Sequence, residues 1–92
     1  MLDKLKAKLK ITWDDEDKLL LDILNQGKYY FKTVTAAEID FENNLLAETL
    51  LMDYARYSYN NSLEYFEENF KSQILLLQFE VVINEKNKVP KL

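Results

Sequence analysis

Carboxylates are the side chains in this sequence that could most readily do chemistry, and they occur as two runs, at residues 14–17 and 67–68. Adjacent carboxylates on a helix point in different directions, so neither run converges on one substrate or metal ion. A serine nucleophile at Ser58, Ser62 or Ser72 would need a neighbouring base, and the 92 residues include no histidine and no cysteine. We therefore expect a protein that is not an enzyme and that uses no cofactor or metal ion.

The charge balance also narrows the range of partners that the protein could bind. Twelve basic and sixteen acidic residues give a formal net charge of −4, which is unfavourable for binding nucleic acid along its backbone. The absence of cysteine is typical of a reducing compartment. Residues 1–10 lack the apolar run of a secretory signal, and the longest apolar run, 74–77, is too short to span a bilayer. We expect a cytoplasmic chain that does not bind membranes.

Composition and the spacing of apolar residues indicate the helices on which any binding residues would lie. The sequence contains only one glycine and one proline, which are residues that commonly form turns. It therefore predicts an all-α fold of long helices. Apolar residues spaced by three and four predict a short amphipathic helix over residues 1–10. Thr12 and Asp15 have capping-box spacing, which predicts a second helix over residues 14–31 that begins to fray at Gly27.

The segment 32–44 has no clear period and is expected to be an irregular connection. Its capping-box pattern from Thr35 to Glu38 favours one helical turn, but an extended arm is equally compatible with its β-forming residues. A third helix is predicted from Leu45 to Tyr59, capped by an asparagine pair at 43–44.

The last long helix should begin at Ser62 or Leu63, although the preceding helix could instead continue to Phe66 and break near Asn69. Apolar residues at coiled-coil spacing form its main stripe: Leu63, Phe66, Phe70, Ile74, Leu77 and Val81. Leu75, Leu76 and Phe79 add a second apolar surface, which favours oligomerisation because one small domain has no room to bury both. Residues 1–83 should form one domain, followed by a mobile polar tail at 84–92.

Six aromatic residues flank a polar break at residues 60–62: Tyr54, Tyr57, Tyr59, Tyr65, Phe66 and Phe70. Such side chains dominate both cores and interfaces. A core role is expected for Tyr54, Tyr57 and Phe70. For Tyr65, Phe66 and the break itself, core and interface roles are equally open.

This aromatic stretch, together with Leu9-Lys10-Ile11-Thr12-Trp13-Asp14-Asp15-Glu16-Asp17, resembles the head–tail connector proteins of tailed bacteriophages, also called head completion or adaptor proteins. The resemblance covers roughly residues 5–80. It implies a helical virion protein that docks as a ring on the portal protein after DNA packaging. The ring would then present a surface to the next connector, stopper or tail protein at the head–tail joint. The chain would be in the host cytoplasm before assembly.

The resemblance also implies which residues make contacts. Neighbouring subunits would meet at the turn and the residues after it: Asn60, Asn61, Ser62, Leu63, Tyr65, Phe66 and Phe70. The tail would reach the portal through Lys88, Val89, Pro90, Lys91 and Leu92. DNA would pass through the ring without specific binding, because like charge weakens adhesion. Glu64, Glu67 and Glu68 are candidates for the channel side.

A second hypothesis is a small helical regulator, such as an antitoxin-like or DNA-mimic inhibitor, that binds one protein through the aromatic hinge. A mimic of nucleic acid needs a dense acidic face. Lysines interrupt the C-terminal half at four positions: Lys71, Lys86, Lys88 and Lys91. The charge layout therefore favours the connector.

Overall fold

The structure, a computed structural model, describes residues 1–88, with side chains as far as Asn84. Five α-helices follow one another: α1 (Leu2–Leu9), α2 (Asp17–Thr35), α3 (Leu45–Tyr59), α4 (Phe66–Asn69) and α5 (Lys71–Lys88). A turn of 3₁₀ helix, Leu63–Tyr65, leads into α4. No strand occurs within residues 1–88. The predicted all-α class, with three long helices and a short N-terminal one, is confirmed.

The first helix is held by several apolar side chains that pack against the core and by ion pairs. Leu5 is fully buried, and Ile11 follows it into the core after the chain turns at Lys10, which has a φ of 59°. Lysines on the other faces pair with carboxylates: Lys4 with Glu48, Lys6 with Asp14 and Asp17, and Lys8 with Asp53. Hydrogen bonding to the Lys6 ammonium lowers the pKa of Asp14 below its ordinary value.

The second helix begins later than predicted. The capping box at Thr12 and Asp15 is wrong, because the helix starts at Asp17 after Glu16, which makes no side-chain cap. Instead, the Trp13 indole N–H donates to the Glu16 carboxylate at 2.8 Å, and the Tyr59 hydroxyl donates to the same oxygen at 2.9 Å. Glu16 therefore links the start of α2 to the end of α3.

The second helix also ends later than predicted, at Thr35 rather than residue 31. The capping box predicted to start at Thr35 is wrong, because the Thr35 hydroxyl donates back to the Phe31 carbonyl at 2.6 Å, within α2. Ala36 then closes the helix with a left-handed φ of 55°. The intervening 36–44 segment is irregular, as predicted. It buries Phe41 and half-buries Ile39 against the core.

The third helix has the predicted bounds. The Asn44 side-chain oxygen accepts a hydrogen bond from the Ala47 N–H at 3.0 Å, which confirms the predicted N-cap. The Asn44 amide also donates to the Glu80 carboxylate at 2.9 Å, so the same residue links α3 to α5. Within residues 1–88, no helix is long and apolar enough to cross a bilayer.

The predicted tail at 84–92 falls partly on α5, because that helix continues to Lys88. Lys88 is therefore a helical residue. The remaining residues of the predicted portal-docking segment lie outside the described part of the chain: Val89, Pro90, Lys91 and Leu92.

Gly27 lies in the middle of α2, where α2 packs tightly against side chains of α3. A β-carbon at Gly27 would lie 2.6 Å from Leu51 Cδ1 and 2.9 Å from Tyr54 Cδ1. Both neighbours are buried side chains of α3. Gly27 is thus required by packing, and the predicted fraying at this position is wrong.

We predict that Gly27→Ala destabilises the protein by about 1 kcal/mol, the middle of the overpacking range less the gain in helix propensity. Overpacking of this kind costs about 1–3 kcal/mol, and the better helix propensity of alanine returns only about 1 kcal/mol. Urea unfolding of the variant measures the difference. Lys28→Ala, at the next, exposed position of α2, is the control and should unfold like the unmodified protein. A Gly27→Ala variant as stable as that control would contradict the close approach.

Candidate protein-binding surface on the last helix

The polar turn at residues 60–62 ends α3 and sends the chain back across it. Asn61 has a left-handed φ of 58°. The Ser62 N–H donates to the Tyr57 carbonyl at 2.9 Å. Asn60 and Asn61 are exposed and Ser62 is half-buried, so this predicted contact region does lie at the surface.

Phe66 anchors the segment that follows the turn. It is 1% exposed, and its ring centre lies 5.5 Å from that of Tyr54 on α3 and 6.1 Å from that of Phe31 on α2. The Phe70 ring stacks on it at 5.0 Å. Of the two roles left open for Phe66, the interface role is wrong: the ring has no accessible surface to offer a neighbouring subunit.

The other aromatic and apolar residues of this region divide between core and surface. Tyr54 is buried, and Tyr57 and Phe70 are half-buried against the core, as expected. Leu63 is also half-buried there. Tyr65 is 56% exposed and is therefore the surface aromatic beside the turn.

Polar contacts fix α4 against the long helices. The Tyr30 hydroxyl of α2 donates to the Glu67 carboxylate at 2.7 Å, and the Asn69 amide donates to the Tyr57 hydroxyl at 3.0 Å. Burial, together with the Glu67 hydrogen bond, raises the pKa of Tyr30 above its ordinary range. Tyr30 therefore remains a neutral donor at physiological pH, and the start of α5 is held at a defined position.

The inner face of α5 completes the core. Ile74, Leu77 and Val81 are buried at helical spacing, and α5 packs through them against α2 and α3. The Gln78 amide at the edge of this face donates to the Val34 carbonyl of α2 at 2.7 Å. These contacts fix the rotation of α5 about its own axis.

The opposite side of α5 is also apolar, and it is exposed in the part of the chain that the structure describes. At about 100° per residue, five large side chains fall on the side away from the core, and they are 44–66% exposed. We call them the α5 outer face: Leu75, Leu76, Phe79, Val82 and Ile83. None of the five is charged.

Exposed apolar patches of this kind are often functional, even on monomeric proteins. Full burial of one such side chain is worth about 1.5–3 kcal/mol. Contiguous exposed apolar patches typically mark sites where proteins bind one another. The arrangement can therefore bind a protein surface by burying apolar area. It brings together no groups for catalysis, and the side chains described as far as Asn84 include no acidic cluster that could hold a metal ion.

The sequence-based site and the observed surface overlap only in part. The predicted contact residues centred on the turn, whereas five of the eleven exposed large hydrophobic residues in the described part of the chain lie on α5. Leu75, Leu76 and Phe79 were recognised as surplus apolar residues, but Val82 and Ile83 were missed. Their spacing of three and four from Phe79 is the signal that could have found them.

Comparison of the chain with protein-family models, with curated proteins and with solved structures finds no match. The class of protein is therefore defined by the fold and the surface alone. It is a small all-helical domain whose last helix has one face in the core and one apolar face exposed.

We predict that truncating Phe66 and truncating Phe79 have opposite consequences. Phe66→Ala should cost about 3–5 kcal/mol, because it opens a cavity in the aromatic core. Phe79→Ala should change stability by less than about 0.5 kcal/mol, because Phe79 is already 66% exposed. Thermal and urea unfolding of the two variants in dilute solution measure both values. Equal losses would contradict the division of α5 into inner and outer faces.

Proposed function

We propose that this chain is a structural connector at the head–tail joint of a tailed bacteriophage, not an enzyme, and that assembly covers the α5 outer face. The phage setting comes from the sequence resemblance. The single observation that carries the binding role is a contiguous apolar face left exposed on a helix whose other face is already packed. A partner that covers this face removes its apolar side chains from water, and that burial stabilises the complex.

The α5 outer face has the composition of an interface centre. Protein interfaces have an apolar core with few charges, surrounded by a polar rim, and aromatic residues often supply the anchor. Phe79 lies in the middle of the outer face and is its largest side chain. Lys71, Ser72 and Gln73 are exposed at its N-terminal end and provide a polar rim on that side.

A ring would need a second surface on each subunit. Head-to-tail contacts use two different patches, one from each neighbour. The exposed turn at Asn60 and Asn61, with Tyr65 beside it, is our candidate for the second patch. In this proposal the outer face of one subunit contacts the turn region of the next, and the completed ring docks on the portal protein. The downstream connector, stopper or tail protein would bind the opposite side of the ring.

The charge of the chain suits a channel through which DNA passes. The net charge of −4 disfavours adhesion to the phosphate backbone. Glu64, Glu67 and Glu68 are all exposed and remain candidates for the channel side.

A DNA-mimic regulator, the alternative hypothesis, would instead use a dense acidic surface for binding. The α5 outer face contains no acidic residue, which favours the connector.

Deleting the gene from the phage genome that encodes the chain tests this function. We predict DNA-packaged or leaking heads lying beside separate, finished tails when lysates are viewed by electron microscopy. Supplying the unmodified protein should restore joined virions. Supplying Phe79→Glu should not, because a charge in the middle of the outer face prevents its burial.

Leu19→Glu is the matched control, since Leu19 is an exposed leucine on α2. It should restore joined virions as the unmodified protein does. Normal, infectious virions from the deletion would reject the connector function. Restoration by Phe79→Glu would reject the role of the outer face.

A further inference from the structure

The apolar residues of the α5 outer face are arranged symmetrically about Phe79. Leu76 and Val82 lie three residues to either side of it, and Leu75 and Ile83 lie four residues to either side. All five belong to one exposed surface. A pattern that reads alike in both directions along a helix is the pattern that an antiparallel pair of identical helices requires.

The symmetry assigns definite neighbours in such a pair. A two-fold axis through Phe79 places this residue against its own copy. The same axis sets Leu75 opposite Ile83 and Leu76 opposite Val82, so every large apolar side chain meets another. Interfaces with two-fold symmetry must be self-complementary in this way. None of the five side chains is charged, so no like charges meet across the axis.

The size of the surface is compatible with a weak dimer. With side chains about half exposed, the five residues offer on the order of 500 Å² per copy, within the roughly 300–600 Å² of the largest apolar patch on a typical monomer. Two copies would bury on the order of 1,000 Å², which is near the lower limit for a specific interface. An interface of this size can form and also open again.

We propose that the free chain forms an antiparallel, two-fold dimer through the α5 outer face. This inference names a second copy as the first occupant of the docking surface proposed above, and it rests on that proposal. A two-fold pair is closed, so it does not extend into a ring. The dimer therefore covers the apolar face before assembly and must open before the chain enters the head–tail joint.

Disulfide trapping tests the geometry, because the chain has no cysteine of its own. An equimolar mixture of Leu75→Cys and Ile83→Cys should form a disulfide-linked dimer under mild oxidation. Leu75→Cys alone should not, because its two copies would lie eight residues apart along the helices, about 12 Å. A disulfide needs α-carbons within about 7 Å. Non-reducing electrophoresis separates the species, and Leu19→Cys, on the exposed side of α2, is the control that should stay unlinked.

Sedimentation of the unmodified chain over a concentration series completes the test. We expect a monomer–dimer equilibrium that Phe79→Glu shifts to monomer and Leu19→Glu does not. Cross-linking of Leu75→Cys to itself would overturn the antiparallel arrangement. A chain that remains monomeric at all concentrations would overturn the dimer. Because the gene deletion is read in virions, it decides the connector function separately from this result.

Discussion

Burial of the Phe66 ring against α2 and α3 is the contact on which the rest of the structure depends. Aromatic rings from three elements surround it, and its stacking partner Phe70 is the residue at which α4 ends and α5 begins. This contact holds the chain immediately after the turn that reverses its direction. The position and rotation of α5, and therefore the division between its two apolar faces, follow from it.

One apolar face of α5 is buried and the other is exposed because a small domain has a limited interior. A chain of this length buries only about two-thirds of its extended surface on folding. The inner face takes the space available against α2 and α3, so the outer face stays exposed within the described residues. In a closed monomer this face would be polar. We propose that this face serves contacts with other protein surfaces, first a second copy of the chain and then the assembly.

Several elements could be predicted from sequence because local chemistry determines them. Asn44 caps α3 through its own side chain, and Asn61 takes the left-handed conformation just beyond its end, so both ends of that helix were predicted correctly. The cap at Thr35 failed because a threonine hydroxyl can equally bond the preceding turn. Gly27 was misjudged because its role is a close approach between two helices, which no local pattern reveals. The outer face of α5 was only partly recognised, because the helix has two interleaved apolar stripes in its sequence. The sequence alone does not show which of the two stripes faces the core.

The central claim is that the α5 outer face is free in the dilute chain and covered in the functional assembly. The most direct test is the rate at which iodoacetamide alkylates a Leu76→Cys variant, measured in the dilute free protein and in purified virions that contain it. Virions dissolved in denaturant provide the fully reactive reference. We expect rapid alkylation of the dilute chain and strong protection in virions. Equal rates in the two states would contradict it.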